Sequence, residues 1–314
     1  MHIDRGFVNR LDFSLTSRMS LNQESFMRRW PTDRFVFILW LGLAPIASAQ
    51  EAPGAISDQE LLDELKAAPA TNPERVEKLK ALFEQAGAPP ESIRLQAVEP
   101  RREGDPVSHN VIMTKPGTTD DVIVIGGHLD KVEPGDGVID DWSGASMTTN
   151  LYQVFKSFPT DHTMVFIGFA YEEQGLLGSR LYVNSLTVEE RSKVKAMVNL
   201  ECLGVGGPFV WSNGSTDSLE RLAHKVAEQA ELPLKSHVIL GVGADSIPFE
   251  RAGIATITFD GLPLDQMHLI HSPLDTFEQI DPECYIKTFQ LVSRFLVALD
   301  RQPEGVAEEQ RDPD

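Results

Sequence analysis

The sequence predicts an α/β fold with a mainly parallel sheet, and three observations support this prediction. Several apolar runs have the length and composition of buried strands. These runs cover residues 122–125, 164–170, 195–200 and 254–259. Each run ends in polar or acidic residues, and segments of helical periodicity lie around the runs, as expected for strands of a parallel sheet that helices cover.

Five segments predict the helices that pack on this sheet, because their apolar residues recur at helical spacing. They cover residues 58–67, 73–86, 145–155, 218–230 and 282–299. The second of them is predicted to start with Asn72 as its N-cap and Pro73 at its first helical position. We interpret the first two helices as a shield for the sheet and not as partner-binding elements.

Residues 1–49 have the organisation of an N-terminal extension followed by a signal peptide. A basic start at 27–34 precedes the apolar core 35–43, and small residues precede Gln50. The apolar core is shorter than the ~20 residues that a membrane-spanning helix needs, so no stable membrane anchor is expected. We expect translation to start at Met27 or Met19, and the cleaved chain to be periplasmic or secreted.

About 265 residues remain after residue 49, which suits a single α/β domain, and residues 50–300 are predicted to form it. Residues 301–314, rich in Glu, Asp, Gln and Pro, are predicted to be a disordered acidic tail. Removal of residues 1–49 takes away six arginines and four acids, which changes the formal net charge from −19 to −21. Such a charge argues against nucleic acid or an anionic membrane as a partner.

A histidine and a carboxylate follow the first apolar run at a spacing that suits metal binding. The residues are His128 and Asp130, in the segment Gly-Gly-His-Leu-Asp. Neutral imidazole is a common zinc ligand, and a carboxylate two residues further can accept the other ring N–H. Ten residues later Asp140 stands just before a predicted helix, where it is free to be a ligand, whereas Asp141 and Ser143 are expected to cap that helix.

Further acids and a histidine follow the other apolar runs. Glu172 and Glu173 come directly after 164–170, Glu201 ends the next run, and His271 lies in the loop after the last one. A bend at the strand end is needed for both adjacent glutamates to serve one site. Since the ends of parallel strands converge at one edge of a sheet, these residues predict one site of nitrogen and oxygen ligands for zinc or another divalent ion.

Four blocks of the sequence resemble those of a known family. Gly-Gly-His-Leu-Asp, Asp-Asp-x-Ser-Gly, Glu-Glu-x-Gly-Leu-x-Gly-Ser and His-Ser-Pro-x-Asp-Thr are similar to the signature blocks of the two-zinc exopeptidases typified by bacterial leucyl aminopeptidases. That clan includes glutamate carboxypeptidases and glutaminyl cyclases. The resemblance spans about 107–299 and implies that 50–300 is a zinc peptidase catalytic domain, with a mixed, mainly parallel central sheet flanked by helices.

The resemblance implies a ligand set for two zinc ions. Asp140 would bridge the ions, His128 and Glu201 would complete one shell, and Glu173 and His271 would complete the other. His268 is a competitor for His271, but only His271 is followed by Ser-Pro-x-Asp-Thr.

The resemblance also implies roles in catalysis. Glu172 would be the general base that takes a proton from the metal-bridging water and passes it to the leaving amine, and Asp130 would orient His128. The implied substrates are peptides with a free N-terminus, and the chain is expected to be a monomer.

Two departures from the family pattern stand out. The family usually has Asp at the position of Glu201, which leaves the choice between one and two metals open. The segment 243–246, Gly-Ala-Asp-Ser, replaces a common Ser-Asp-His, so a polar contact to the substrate is expected to differ. Two alternatives to an aminopeptidase are a one-zinc glutaminyl cyclase and a catalytically silent binding protein of the same fold. Cys202 and Cys284 are expected to be free thiols.

Overall fold

The computed structural model describes residues 54–302, which fold around an eight-stranded mixed sheet. In chain order its strands are β1 (Ile93–Val98), β2 (Ser108–Lys115), β3 (Val122–His128), β4 (Thr163–Phe169), β5 (Val194–Glu201), β6 (Phe209–Trp211), β7 (Lys235–His237) and β8 (Thr256–Asp260). Their order across the sheet is β1-β2-β4-β3-β5-β8-β6-β7. The central strands β4, β3, β5 and β8 are parallel neighbours. The predicted fold class is therefore confirmed.

The helices cover both faces of this sheet. In chain order they are α1 (Asp58–Lys66), α2 (Asn72–Gln85), α3 (Ser143–Phe155), α4 (Leu177–Ser185), α5 (Val188–Lys193), α6 (Asp217–Gln229), α7 (Ser246–Arg251) and α8 (Pro282–Asp300). Within residues 54–302, no helix combines the length and the apolar character that a membrane crossing requires. The predicted signal peptide, and all of the predicted tail except residues 301–302, lie outside the described residues.

The pleat of the central strands divides the core into two apolar clusters, one on each face. On β3, Ile123 and Ile125 join the larger cluster, which α1, α2, α3, α6 and α8 complete, whereas Val124 joins the smaller one. Val183 of α4 and Phe249 of α7 belong to the smaller cluster. Because these strands are buried on both faces, they appear in the sequence as continuous apolar runs without polar alternation.

The start of α2 differs from the prediction. Thr71, and not Asn72, is the N-cap, since its extended backbone lets its hydroxyl accept a hydrogen bond from the Glu74 N–H while the Glu74 carboxylate accepts from the Thr71 N–H. The Asn72 side chain instead bonds the backbone of Lys131, with its Oδ1 at 2.9 Å from the Lys131 nitrogen. This contact attaches the start of α2 to the loop that follows β3.

The edges of the sheet were not predicted. The antiparallel pair β1 and β2 packs beside β4, and the three-residue strands β6 and β7 extend the other edge. Both hairpin strands include exposed or polar residues, and a three-residue strand carries no periodicity that sequence inspection can detect. These edges leave the parallel centre, and the carboxyl ends of its strands, in the middle of the sheet.

Candidate metal centre

His128 is the last residue of β3 and points into a buried cluster of acids at the carboxyl edge of the sheet. Gly127 before it allows the close approach of neighbouring chain, because a Cβ there would lie 2.7 Å from Asp141 Oδ2 and from the Leu200 carbonyl oxygen. The ring Nδ1 is 3.0 Å from the Asp130 carbonyl oxygen and 3.7 Å from the Asp130 carboxylate. The nearer acceptor of the second ring nitrogen is thus backbone, where the sequence predicted a carboxylate.

Asp140 is placed by a tight turn, Val138–Trp142, that precedes α3. Its backbone is extended, with φ −114° and ψ 92°, and the peptide bond to Asp141 is cis. The Asp275 carboxylate accepts a hydrogen bond from the Ile139 nitrogen at 2.6 Å and a longer one from the Asp140 nitrogen at 3.4 Å. The His-Ser-Pro-x-Asp-Thr block therefore supports the Asp-Asp-x-Ser-Gly block as well as supplying His271.

Of Asp141 and Ser143, which were expected to cap α3, only Asp141 accepts a hydrogen bond from an N–H of that helix, and Trp142 occupies the N-cap position. The Asp141 carboxylate accepts hydrogen bonds from the N–H groups of His128, Gly144 and Cys202 at 3.0–3.2 Å. The Ser143 hydroxyl accepts from the Leu203 N–H at 2.7 Å. Asp141 thus connects the start of α3 to the ends of β3 and β5, and Ser143 connects it to the chain just after β5.

A bend after β4 brings the two adjacent glutamates to one site. Tyr171 adopts a left-handed backbone with φ 57°, and the turn that follows carries Glu172 and Glu173. The Asp130 carboxylate accepts hydrogen bonds from both of their N–H groups, at 2.9 Å and 3.3 Å. Strained non-glycine residues of this kind are concentrated at functional sites.

The five residues predicted as ligands lie together, in two groups that share Asp140. In the first group, His128 Nε2 is 2.9 Å from Asp140 Oδ1 and 3.6 Å from Glu201 Oε1. In the second, His271 Nε2 is 3.0 Å from Asp140 Oδ2 and 2.9 Å from Glu173 Oε1. This is the grouping that the resemblance implied. His268 is exposed and takes no part in either group.

Glu201 is held by its own strand. The Asn199 Nδ2 atom donates to Glu201 Oε2 at 2.9 Å, which leaves Oε1 facing His128. Cys202 adopts a left-handed backbone with φ 49°, and its buried thiol lies next to the same carboxylate. Cys202 and Cys284 are both free, as expected.

The neighbouring acids raise the pKa of both imidazoles. Burial on its own lowers the pKa of His128, but contacts with Asp130, Asp140 and Glu201 outweigh it and raise that pKa well above its usual value. Contacts with Asp140 and Glu173 raise the pKa of His271 to about 10. Because a metal binds the neutral imidazole, zinc at these residues would compete with protons.

Burial also affects the pKa values of the acids around these histidines. Burial raises the pKa of Asp141 and Glu172 well above their usual values, and that of Glu201 to a lesser extent. Burial also favours the neutral form of Asp140, but its hydrogen bonds with His128 and His271 hold its pKa below the usual range. A buried cluster with this much negative charge is stabilised by a cation.

Two buried acids near this centre, Asp245 and Asp260, are not among the site residues predicted from the sequence. Asp245 is fully buried, neither of its carboxylate oxygens has a hydrogen-bond partner of regular geometry among the described residues, and burial raises its pKa to about 7. Asp260, the last residue of β8, is buried with Oδ2 at 2.8 Å from His237 Nε2. The only sequence signal for Asp260 was its position at the end of a predicted strand.

The residues of this cluster fit a pair of divalent ions. Two imidazole nitrogens and three carboxylates, with no thiolate needed, match the donors that catalytic zinc prefers. Donor atoms of His128, Asp140 and Glu173 lie within 4.8 Å of one another, so donors of both groups converge on Asp140. The cluster is therefore a candidate two-ion centre of the metallohydrolase class.

The chain belongs to peptidase family M28, whose family model matches residues 110–296. Aminopeptidase YwaD of Bacillus subtilis is 27% identical over 206 residues, which cover 61% of this chain and 44% of that protein. Aminopeptidase Y of Saccharomyces cerevisiae is 36% identical over 97 residues, which cover 31% of this chain and 18% of that protein. The chain thus spans less than half the length of these curated relatives.

Solved structures show the same architecture. A zinc aminopeptidase from Bacillus subtilis, BSAP, matches with a TM-score of 0.58 and 26% identity, over 67% of this chain and 54% of that one. A glutaminyl cyclase from an Acidobacteriales bacterium matches with a TM-score of 0.68 and 16% identity, over 81% of this chain and 98% of that one. At that identity the second match shows the fold alone.

Proposed function

We propose that this chain is a zinc-dependent aminopeptidase that removes N-terminal residues from peptides. The observation that carries the proposal is the shared carboxylate of Asp140, whose two oxygens lie 2.9 Å and 3.0 Å from His128 and His271. One carboxylate between two sets of donors is the arrangement expected of a bridging ligand in a two-metal hydrolase. The names of the family relatives, aminopeptidases and a zinc aminopeptidase, support the same activity.

Five side chains would hold the ions, in the two groups described above: His128, Asp140, Glu173, Glu201 and His271. Zinc supplies Lewis acidity at such a site, which polarises the scissile carbonyl and makes hydroxide available near pH 7. No serine or cysteine nucleophile is then required.

Glu172 is the proposed general base. Its backbone is fixed by Asp130, and its side chain lines the same cavity as Asp140, Glu201 and His271. Burial raises the pKa of Glu172 well above its usual value, and a bound cation would lower it again. Glu172 accepts the proton of the attacking water and delivers it to the leaving amine.

The cavity explains why an amino terminus is the proposed target. It has a volume of about 410 Å³. Its walls away from the metal centre are mostly apolar, and its charged groups there are Asp260 and, at the exposed rim, Arg180. The carboxylates Glu172 and Glu201 face the same space. A free ammonium group is attracted by these buried acids, whereas a substrate's C-terminal carboxylate would be repelled.

A second cleft, of about 720 Å³, reaches Asp130 and Glu173 from the other side. Its walls include the start of α2 and the chain at 105–109. We assign the remaining residues of the peptide to this cleft, because the scissile bond then lies at the boundary between the two spaces, beside Glu173.

A panel of substrates tests the proposal. The purified chain, loaded with zinc, is incubated with anilides of several N-terminal amino acids, with an N-acetylated anilide and with a Gln-initiated peptide. We expect hydrolysis of the free anilides and none of the acetylated one, loss of activity with a chelator, and one to two zinc ions per chain. Full activity in a metal-free sample would overturn the zinc requirement.

The same panel distinguishes the alternatives. Release of ammonia from the Gln-initiated peptide, without anilide hydrolysis, would identify a glutaminyl cyclase, for which the fold likeness is the supporting observation. Binding of peptides without any turnover would identify a silent binding protein. The presence of donors for both groups around Asp140 favours hydrolysis.

Export is proposed from the sequence of residues 1–49 alone. The expected mature protein starts at Gln50, which N-terminal sequencing of the protein from periplasm or culture medium would check. Recovery of a chain in the cytosol with residues 27–49 intact would contradict the proposal.

A further inference from the structure

Arg75 is a fully buried cation in α2, and its side chain donates only to backbone carbonyls in the hydrogen bonds that the structure defines. Nε donates to the Pro69 oxygen at 3.1 Å, and Nη1 to the Leu129 oxygen at 3.2 Å. Nη2 donates to the oxygens of Asp136 and Gly137, at 2.5 Å and 2.8 Å. A guanidinium is suited to this pattern because its donors form a rigid planar fork.

Three of the four carbonyls bound by this fork belong to the two ends of one loop. Leu129 follows His128 directly, and the pair Asp136 and Gly137 lies just before the turn that carries Asp140. Residues 129–137 therefore form most of the connection between His128 and Asp140 of the first metal group, and Arg75 fastens the ends of this loop to each other. Gly137 needs its left-handed φ of 61° at this point, where a Cβ would lie 2.5 Å from the Lys131 side chain.

The other face of the guanidinium lies on the Trp142 ring, with 5.5 Å between Cζ and the ring centroid. Trp142 is the last residue of the Asp140 turn and is itself anchored, since its Nε1 donates to the Glu64 oxygen at 3.1 Å. Arg75 thus contacts the chain on both sides of Asp140.

The charge of Arg75 also acts on the metal centre. Arg75 forms no direct ion pair among residues 54–302. Its charge nevertheless interacts electrostatically with the nearby carboxyl groups of Asp275, Asp130, Asp140 and Asp141. Burial lowers its pKa to about 10, and these acids oppose that effect, so it stays protonated at neutral pH. A fixed positive charge behind a cluster of buried acids reduces their mutual repulsion.

We propose that Arg75 is a positioning residue of the metal centre, which sets the spacing of His128 and Asp140 by fastening the ends of loop 129–137 and balances the charge of the acids behind them. The inference rests on the proposed function, since it takes these two residues to be zinc ligands. It goes further by assigning part of the zinc affinity to a residue of α2 that touches neither ligand's side chain.

A matched control comes from a second buried cation. Lys115 at the end of β2 is 8% exposed, and its Nζ donates to Thr160 Oγ1 at 2.7 Å. It lies beside Met164, at the opposite end of β4 from Glu172 and Glu173. Lys115→Met, like Arg75→Met, replaces a buried cationic side chain by an apolar one, but it does so far from the metal centre.

The experiment measures zinc affinity by competition with a chromophoric chelator, for the full chain and for Arg75→Met, Arg75→Lys and Lys115→Met. We expect Arg75→Met to weaken zinc binding by about 10- to 100-fold, the usual effect of losing a residue that orients ligands. Arg75→Lys keeps the charge but cannot reach all the carbonyls, so its loss should be intermediate. Lys115→Met should lower thermal stability and leave zinc affinity unchanged.

A spectroscopic readout separates positioning from general destabilisation. With Co²⁺ as the probe, the ligand-field absorption should change in Arg75→Met and stay like the wild type in Lys115→Met. Equal zinc affinity and equal Co²⁺ spectra in the two folded variants would overturn the inference. If Arg75→Met does not fold, Arg75→Lys decides by the same comparison. A wild-type chain that binds no zinc would instead overturn the proposed function on which the inference depends.

Discussion

The carboxylate of Asp130 accepts a hydrogen bond from the backbone N–H of Glu172, with 2.9 Å between Oδ1 and the nitrogen. Its Oδ2 accepts from Glu173 in the same way, at 3.3 Å. The carbonyl oxygen of Asp130 meanwhile lies 3.0 Å from His128 Nδ1. Asp130 therefore contacts the proposed ligand His128 at the end of β3 through its backbone carbonyl. Through its side chain it holds the backbone of the proposed base Glu172 and of the proposed ligand Glu173 after β4.

Asp130→Ala should loosen the turn that carries Glu172 and Glu173 while the carbonyl contact to His128 persists. We expect kcat/KM and zinc affinity each to fall by about 10- to 100-fold, as is typical for residues that orient ligands. Asp130→Asn keeps one acceptor oxygen and should lose less. Asp120→Ala, at a side chain 90% exposed, is a control that should change neither quantity. Wild-type kinetics in Asp130→Ala would refute the orienting role.

Exchange of the two adjacent glutamates for glutamine should separate base from ligand. Glu172→Gln keeps the shape but cannot accept a proton, so kcat should fall by about 10²- to 10⁴-fold while zinc content stays at the wild-type level. Glu173→Gln replaces the carboxylate whose Oε1 lies 2.9 Å from His271 Nε2, and we expect this variant to lose zinc. Elemental analysis beside steady-state kinetics checks both, and the opposite pattern would reverse the assignment.

Glu201 is the position where the chain leaves its family's pattern, and the structure shows how the longer side chain is held. Asn199 binds Oε2 and leaves Oε1 3.6 Å from His128. In Glu201→Asp the carboxylate withdraws by one methylene, and misplacement near 1 Å at a catalytic centre costs about 10²-fold in rate. We therefore expect lower kcat/KM in Glu201→Asp and loss of zinc in Glu201→Ala.

The comparison of these two variants with the wild type shows whether Glu201 is a zinc ligand and whether the length of its side chain matters. If Glu201→Asp equals the wild type while Glu201→Ala loses zinc, the position is an ordinary ligand and its length has no consequence. Full zinc content and activity in Glu201→Ala would show that Glu201 is not a ligand, and the two-metal proposal would fail.

The pair His162 and Asp300 should make stability depend on pH, away from the metal centre. His162 Nδ1 is 3.2 Å from Asp300 Oδ1, and the Asp300 carboxylate also accepts from the N–H groups of Asp161 and His162. The contact with Asp300 raises the pKa of His162 above 6.5. Burial on its own raises the pKa of Asp300, but these hydrogen bonds outweigh it and hold that pKa below 3.8.

The signs of the two shifts define a window of maximal stability. The contribution of His162 is complete below pH 6.5 and is lost as the pH rises through its higher folded-state pKa. The contribution of Asp300 is present above pH 3.8 and is lost as the pH falls through its lower folded-state pKa. Urea unfolding of the chelator-treated chain should show a smaller loss of stability between mildly acidic and alkaline pH in His162→Gln than in the wild type. An identical loss would show that the pair does not contribute.

Much of the centre could be predicted from the sequence because buried parallel strands leave a simple signal. The runs that became β3, β4, β5 and β8 are continuous and apolar, and residues at their ends meet at one edge whatever the loops do. His128, Asp140, Glu173, Glu201 and His271 therefore could be named as one site, although their binding of zinc stays a prediction. The sheet edges were missed, since short strands and half-exposed hairpins lack such a pattern.

The sequence by itself determined the fold class, the family and the chemical character of the centre, because these depend on local composition and on the order of motifs along the chain. Tertiary structure alone decided that the Asp130 carboxylate also holds the backbone after β4, and that buried Asp245 has no hydrogen-bond partner of regular geometry among residues 54–302. It also decided that Arg75 fastens the loop before Asp140. The physical reason is that each of these features depends on how α2, the sheet and the loops pack against one another. The groups involved lie far apart in the chain, so no local sequence pattern predicts their distance and direction.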